Sequence, residues 1–242
     1  ARPVQSLASM KRNKTISKKS WMALTAAISL VGGGLAASTA EGFPRFASDK
    51  IQMSDLVKGS SPDSHVNSLS VDDVEAVFKT RLKGRGRDKL GKLARHFMDL
   101  CQTHHFDPAF VLSLIEKESG FRTYIMSNVG ATGLMQVMPV TAQYIAERFE
   151  IDTYRHPGDL RDPFINLQLG ITYLGYLRAQ FQHSQRFLAA YNLGPTTVRR
   201  MVRKGAFKLD KIRRYVTGIE AGEETMRQEA KRLGLELARF SY

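Results

Sequence analysis

The sequence predicts a mainly α-helical protein. Three observations carry that expectation. After residue 68, apolar residues recur three and four positions apart. Ser70, Asp107 and Asp162 stand where such runs begin. No stretch alternates polar and apolar residues over a useful length. No internal repeat or low-complexity tract is evident. The 242 residues, 43% hydrophobic, suffice for one globular domain with appendages.

Residues 1–40 read as upstream residues followed by a targeting signal. Met10 looks like a natural start, Lys11 to Lys19 is basic, Trp21 to Val31 is apolar, and small residues lead to Ser38-Thr39-Ala40. Two outcomes stay open: cleavage after Ala40, or an uncleaved anchor, since Trp21 to Ala37 approaches the length of a membrane span. The segment also explains part of the formal charge of +13. Without Arg2, Lys11, Arg12, Lys14, Lys18 and Lys19, the 36 basic residues fall to 30 against 23 acidic ones, a balance of +7. That remainder is dispersed and accompanies no nucleic-acid motif, which argues against a nucleic-acid partner. The single cysteine, Cys101, excludes intramolecular disulfides and is expected to be a core residue. Residues 41–67, rich in Ser, Asp, Pro and Gly, read as a linker.

The folded part is expected over 68–220. Ser70-Val71-Asp72-Asp73 resembles a capping box and opens a helix to about Leu82, broken by Lys83-Gly84-Arg85-Gly86-Arg87. A second helix, Lys89 to about His104, aligns Leu90, Leu93, Ala94 and Phe97. His104 and His105 lack a nearby carboxylate or cysteine at ligand spacing, so they read as a helix terminus rather than a metal site. Further helices are expected over Asp107-Pro108 to Ser119, Thr141 to Phe149, Asn166 to Phe181, Arg186 to Asn192 and Val198 to Lys204, with Ile212, Tyr215, Val216 and Ile219 forming another apolar stripe. Residues 221–242 read as a charged helical extension that docks on the domain or projects from it.

The helix after Asp107 carries the chemical signal. At helical pitch Val111, Leu114 and Ile115 share one face, and Glu118 falls on it too. A carboxyl group on an apolar face tends to stay protonated, because burial penalises its charged form, and a protonated carboxyl near neutral pH is a proton donor. Glu116 lies nearer the rim of the stripe, and Lys117 points away from it.

A set of spaced motifs follows in order: Glu118-Ser119-x-Phe121, then Ser127-x-x-Gly130-Ala131-x-Gly133-Leu134-Met135-Gln136-x-Met138-Pro139-x-Thr141-Ala142. Next come Asn166-x-x-x-Gly170-x-x-Tyr173-Leu174 and Ala190-Tyr191-Asn192-x-Gly194. Over roughly residues 90–216 this set resembles the catalytic domain of soluble lytic transglycosylases, in the goose-lysozyme-like superfamily. The resemblance implies a lysozyme-like helical domain with a substrate cleft. It implies Glu118 as the single catalytic acid/base, and Ser127, Gln136, Met138, Tyr191, Asn192 and Tyr215 as substrate-binding residues. It implies no metal and no cofactor. The implied substrate is peptidoglycan, cut at the MurNAc-β-1,4-GlcNAc bond without water to leave 1,6-anhydromuramoyl ends. An exported, periplasmic or cell-envelope location follows from the targeting segment and this substrate, with envelope machinery as a possible further partner.

Two positions depart from the family pattern. Leu193 replaces the usual alanine after Tyr191-Asn192, and Lys211 stands where a glutamate often precedes the Tyr215-Val216 pair, unless Asp210 substitutes for it. Two other functions remain in view: a lysozyme-type muramidase that adds water at the same bond, and a non-catalytic wall-binding helical module. The mass of the products separates the first, and a Glu118→Gln variant the second.

Overall fold

The computed structural model describes residues 68–207 and 212–239. The expected targeting segment, the 41–67 linker and the Asp210 and Lys211 positions lie outside the described residues. Among the described residues eight α-helices follow in order: α1 (Val71–Arg81), α2 (Leu90–Thr103), α3 (Pro108–Ser119), α4 (Pro139–Arg148), α5 (Pro163–Phe181), α6 (Ser184–Leu193), α7 (Pro195–Arg203) and α8 (Arg213–Arg239). Short 3-10 turns cover Arg87–Lys89 and Pro157–Arg161. Among the described residues no strand forms. Isolated bridges, Met126 with Thr132 and Thr132 with Val137, tie the loop between α3 and α4 to itself. No described helix is long and apolar enough to cross a membrane.

The starts of the helices follow their caps. Ser70 accepts from the Asp73 amide while the Asp73 carboxylate accepts from the Ser70 amide, a reciprocal capping box. Asp107 and Asp162 cap α3 and α5. Helices α4 and α7 begin two or three residues earlier than their apolar periodicity indicates, at Pro139 and Pro195, and α5 begins at Pro163 directly after the Asp162 cap. Proline lacks the amide that a first turn leaves unused, and its fixed φ suits that turn, so each helix begins on it.

Helix α5 is the centre of the fold. From Leu169 to Leu177 every residue is buried, as expected of a helix with neighbours on all sides. Phe78 on α1 meets Phe97 on α2 edge-on at 5.7 Å and Phe121 at 6.3 Å, so one aromatic cluster joins α1 and α2 to the residue just beyond α3.

The sequence places a boundary between residues 220 and 221, but α8 runs through that position without a break. Its later half docks on the domain. A Cβ on Gly234 would sit 2.1 Å from Asp73 Oδ1, and Arg81 of α1 pairs with Glu229 at 2.5 Å and with Glu116 of α3 at 2.7 Å. Helix α3 is accordingly buried well beyond the single stripe read from its sequence: Leu112 and Ser113 are buried along with Val111, Leu114 and Ile115.

Candidate active site

Glu118 occupies the last turn of α3, which stops at Gly120 in the left-handed region. Its neighbours Glu116 and Lys117 are exposed, whereas Glu118 is largely covered. Burial raises the pKa of its carboxyl above the ordinary carboxylate value, with the Tyr215 hydrogen bond and the Lys117 charge pulling part of the way back. Among the described residues no second carboxylate contributes to that shift.

Two tyrosines flank the carboxyl. Tyr215, in the first turn of α8, donates its hydroxyl to Glu118 Oε1 at 2.5 Å. Tyr191 on α6 is near enough that the Glu118 charge raises its phenol pKa, a shift to which burial contributes most. The Tyr191 hydroxyl donates to the Met135 carbonyl at 2.7 Å, and its ring packs on Tyr173 with centroids 5.5 Å apart. Tyr191 is thus a fixed wall whose hydroxyl proton is already committed.

The loop from Phe121 to Met138 is held by a residue to which the sequence pattern assigns no role of its own. Asn166, fully buried on α5, accepts from the Met135 amide at 2.8 Å and donates to the Thr132 and Leu160 carbonyls, each at 2.9 Å. Gly133 lies against this bracket with φ +81°, and a Cβ there would come within 2.3 Å of the Leu160 carbonyl and 2.4 Å of Asn166 Nδ2. Only glycine fits. Gly170 makes the matching space on α5, where a Cβ would meet Met135 Sδ at 2.5 Å.

The remaining predicted residues are distributed along this loop and α6. The Ser127 hydroxyl accepts from the Ala131 amide at 3.0 Å, closing the turn around Gly130. Gln136 adopts φ +48°, unusual for a non-glycine residue, and its Nε2 donates to the Gly133 carbonyl at 3.1 Å and the Ile125 carbonyl at 3.3 Å. Its amide nitrogen therefore braces the loop. Met138 is the half-buried residue before α4, and Asn192 is exposed beside Tyr191. Of the seven, the structure joins Glu118 and Tyr215 by a hydrogen bond, with Tyr191 near enough for their charges to be felt.

His104 is a core residue. Its Nε2 lies 3.2 Å from Thr172 Oγ1, and burial lowers its pKa to about 4, so it stays neutral. Among the described residues no group of three or more His, Cys, Asp or Glu side chains is arranged to hold a metal.

The profile of the family described as "Transglycosylase SLT domain" matches residues 97–213, which contain Glu118, the bracketed loop and Tyr191. Residues 97–213 are similar to a transglycosylase SLT domain. The "Soluble lytic murein transglycosylase" of Escherichia coli strain K12 is 38% identical over 105 residues, covering 43% of this chain and 16% of that protein. The "Membrane-bound lytic murein transglycosylase C" of Haemophilus influenzae strain PittEE is 32% identical over 126 residues, 45% of this chain and 34% of that one. Among solved structures, an inactive Glu-to-Gln mutant of the lytic transglycosylase Slt from Pseudomonas aeruginosa superposes with a TM-score of 0.50 at 27% identity, over 57% of this chain and 24% of that one. The matched residues thus correspond to a minor part of much longer relatives. Helix α1 and nearly all of α8, including Tyr215, lie outside the matched residues.

Proposed function

We propose that the protein is a peptidoglycan lytic transglycosylase that cleaves the MurNAc-β-1,4-GlcNAc bond and leaves 1,6-anhydromuramoyl ends. The observation that carries this reading is the covered Glu118 carboxyl, its pKa raised by burial and one oxygen held by Tyr215. The names of the relatives and the inactive Glu-to-Gln neighbour support it.

Protonated Glu118 gives its Oε2 proton to the glycosidic oxygen as the bond to the muramoyl anomeric carbon breaks. The resulting carboxylate then takes the proton of the C6 hydroxyl of the same sugar while that oxygen bonds to the anomeric carbon. Glu118 ends protonated and no water is consumed. Ordinary glycosidases need a second carboxylate as base or nucleophile. Here the nucleophile belongs to the substrate and arrives at high effective concentration, so one group serves as acid and then base. The substrate's acetamido group helps to stabilise the cationic centre.

Tyr215 fixes which oxygen carries the proton. Tyr191 and Asn192 form one side of the sugar site, while Ser127, Gln136 and Met138 form the other on the loop clamped by Asn166. No cofactor takes part. Weighing fragments released from purified peptidoglycan tests the reaction class: anhydro ends are lighter than reducing ends by one water. Reducing ends would keep the site and change the reaction to hydrolysis.

The location proposed with this substrate is the cell envelope, reached by export with loss of residues 1–40. Mass spectrometry of protein from its native compartment tests this, and an intact N-terminus embedded in membrane would contradict cleavage.

A further inference from the structure

Helix α8 is tied to α3 at three points in an antiparallel register. Tyr215 meets Glu118 at the C-terminal end of α3. In the middle, the buried Ser113 hydroxyl donates to the Ile219 carbonyl at 2.9 Å. At the N-terminal end, Arg227 pairs with the capping Asp107 at 3.0 Å. The middle point is the tightest. A Cβ on Gly222 would lie 2.5 Å from Ser113 Oγ and 3.6 Å from Ser113 Cβ, so one more carbon there displaces the Ser113 hydroxyl from its place. An open cleft of about 370 Å³ borders the clasp, lined in part by Lys117, Thr225 and Met226.

The same distances link this contact to the carboxyl. Relieving a 2.5 Å contact with Ser113 Oγ takes either rotation of that hydroxyl off the Ile219 carbonyl, which opens the clasp, or a parting of the helices by about 1 Å. Ile219 lies about one helical turn beyond Tyr215 on the same stiff helix, so Tyr215 shares such a displacement. A hydrogen bond of 2.5 Å lengthened by about 1 Å falls at or beyond the limit of useful geometry.

We propose that Ser113 and Gly222 form a clasp that sets the depth of α8 and thereby holds the Tyr215 hydroxyl on the Glu118 carboxyl. Both are positioning residues, acting through Tyr215. The role assigned to them rests on the reading of Glu118 as acid/base. The Gly222 half of the clasp lies beyond the residues that match the family profile, in the segment whose sequence reads as an appendage.

The ionisable groups acting on Glu118 are Lys117 on its own helix, Tyr215 on α8 and Tyr191 on α6. Carbon-13 NMR titration of the Glu118 carboxyl in the full chain, assigned with Glu118→Gln, reads the Tyr215 contact without any turnover. Tyr215→Phe removes a donor that favours the carboxylate, so the titration moves to higher pH. Gly222→Ala is expected to move it the same way and to lower peptidoglycan turnover about tenfold. Ser113→Ala/Gly222→Ala, which removes the atom that the new Cβ would strike, should bring the titration back to the position of Ser113→Ala. In a Tyr215→Phe background Gly222→Ala should add nothing.

A Gly222→Ala protein whose melting temperature drops while the Glu118 titration stays put would overturn the proposal, as would failure of the double variant to restore it. If Gly222→Ala is not recovered folded, Ser113→Ala carries the test, with a smaller upward shift expected and an unchanged titration contradicting the clasp. Because the titration needs no activity, loss of the transglycosylase reading and loss of the clasp are separate results.

Discussion

The Tyr215 hydroxyl lies 2.5 Å from Glu118 Oε1, although 97 residues separate the two in sequence. That contact joins the end of α3 to the start of α8 and makes the last described helix part of the site. Its chemistry has a sign. A donated hydrogen bond favours the carboxylate, while burial, the larger effect, favours the acid.

Tyr215→Phe keeps the ring and deletes the donor. A hydrogen bond to a charged group is worth ~1.5–3 kcal/mol, so turnover on peptidoglycan is expected to fall by roughly tenfold to a hundredfold. Activity that needs protonated Glu118 declines as pH rises through its pKa. Without the donor that pKa rises further, and the alkaline limb of the pH–rate profile moves to higher pH. A limb that moved to lower pH would contradict the assignment.

Stability responds to the same group. The native pKa of Glu118 is raised by burial, so its favourable contribution is present below the unfolded pKa and is lost as pH rises through the native one. Above that point the wild-type protein buries a charge that Glu118→Gln does not. The melting temperature of Glu118→Gln should therefore exceed that of the wild type at pH 8, with the gap closing toward pH 4. Thermal melts across that range check it.

Asn166→Ala is expected to unbrace the loop. It leaves the Met135 amide and the Thr132 and Leu160 carbonyls without their buried partner. At ~1–3 kcal/mol for each unsatisfied group, the loss is on the order of 3 kcal/mol or more. Gly133→Ala should be comparably damaging, because its Cβ would meet the same bracket. Chemical denaturation measures both, and a loss under about 1 kcal/mol for Asn166→Ala would contradict the bracket.

Arg81 offers a contrast. It bridges Glu116 and Glu229, yet about a quarter of its side chain is exposed, and such pairs contribute ~1 kcal/mol or less. Arg81→Met should cost little in the same denaturation assay.

Glu118 and the helix that carries it were legible because cap, proline and apolar stripe are local signals. Asp107, Pro108, Val111, Leu114 and Ile115 give its start and its face within a dozen residues. The helix starts at Pro139 and Pro195 are carried by the prolines themselves, a signal that apolar periodicity does not register. The bracketing role of Asn166 was hidden because two of its three partners, Thr132 and Met135, lie on a loop far away in sequence, and no local pattern announces a buried bracket. The role of α8 was hidden for a related reason. Ser113 and Gly222 are small residues of ordinary appearance, and their meaning lies in how closely two helices approach. The side-chain amide of Gln136 is engaged with backbone carbonyls, a commitment that spacing does not reveal.

The most direct measurement compares turnover of purified peptidoglycan by Glu118→Gln and Glu116→Gln, each shown to be folded. Glutamine keeps the size of the side chain and cannot deliver a proton. The account predicts that Glu118→Gln loses ~10²–10⁴-fold in rate, and more where the same group also serves as base. Glu116→Gln, whose side chain faces Arg81 at the surface, should stay near the wild-type rate. Near-normal turnover by Glu118→Gln would contradict the assignment of this carboxyl as the acid.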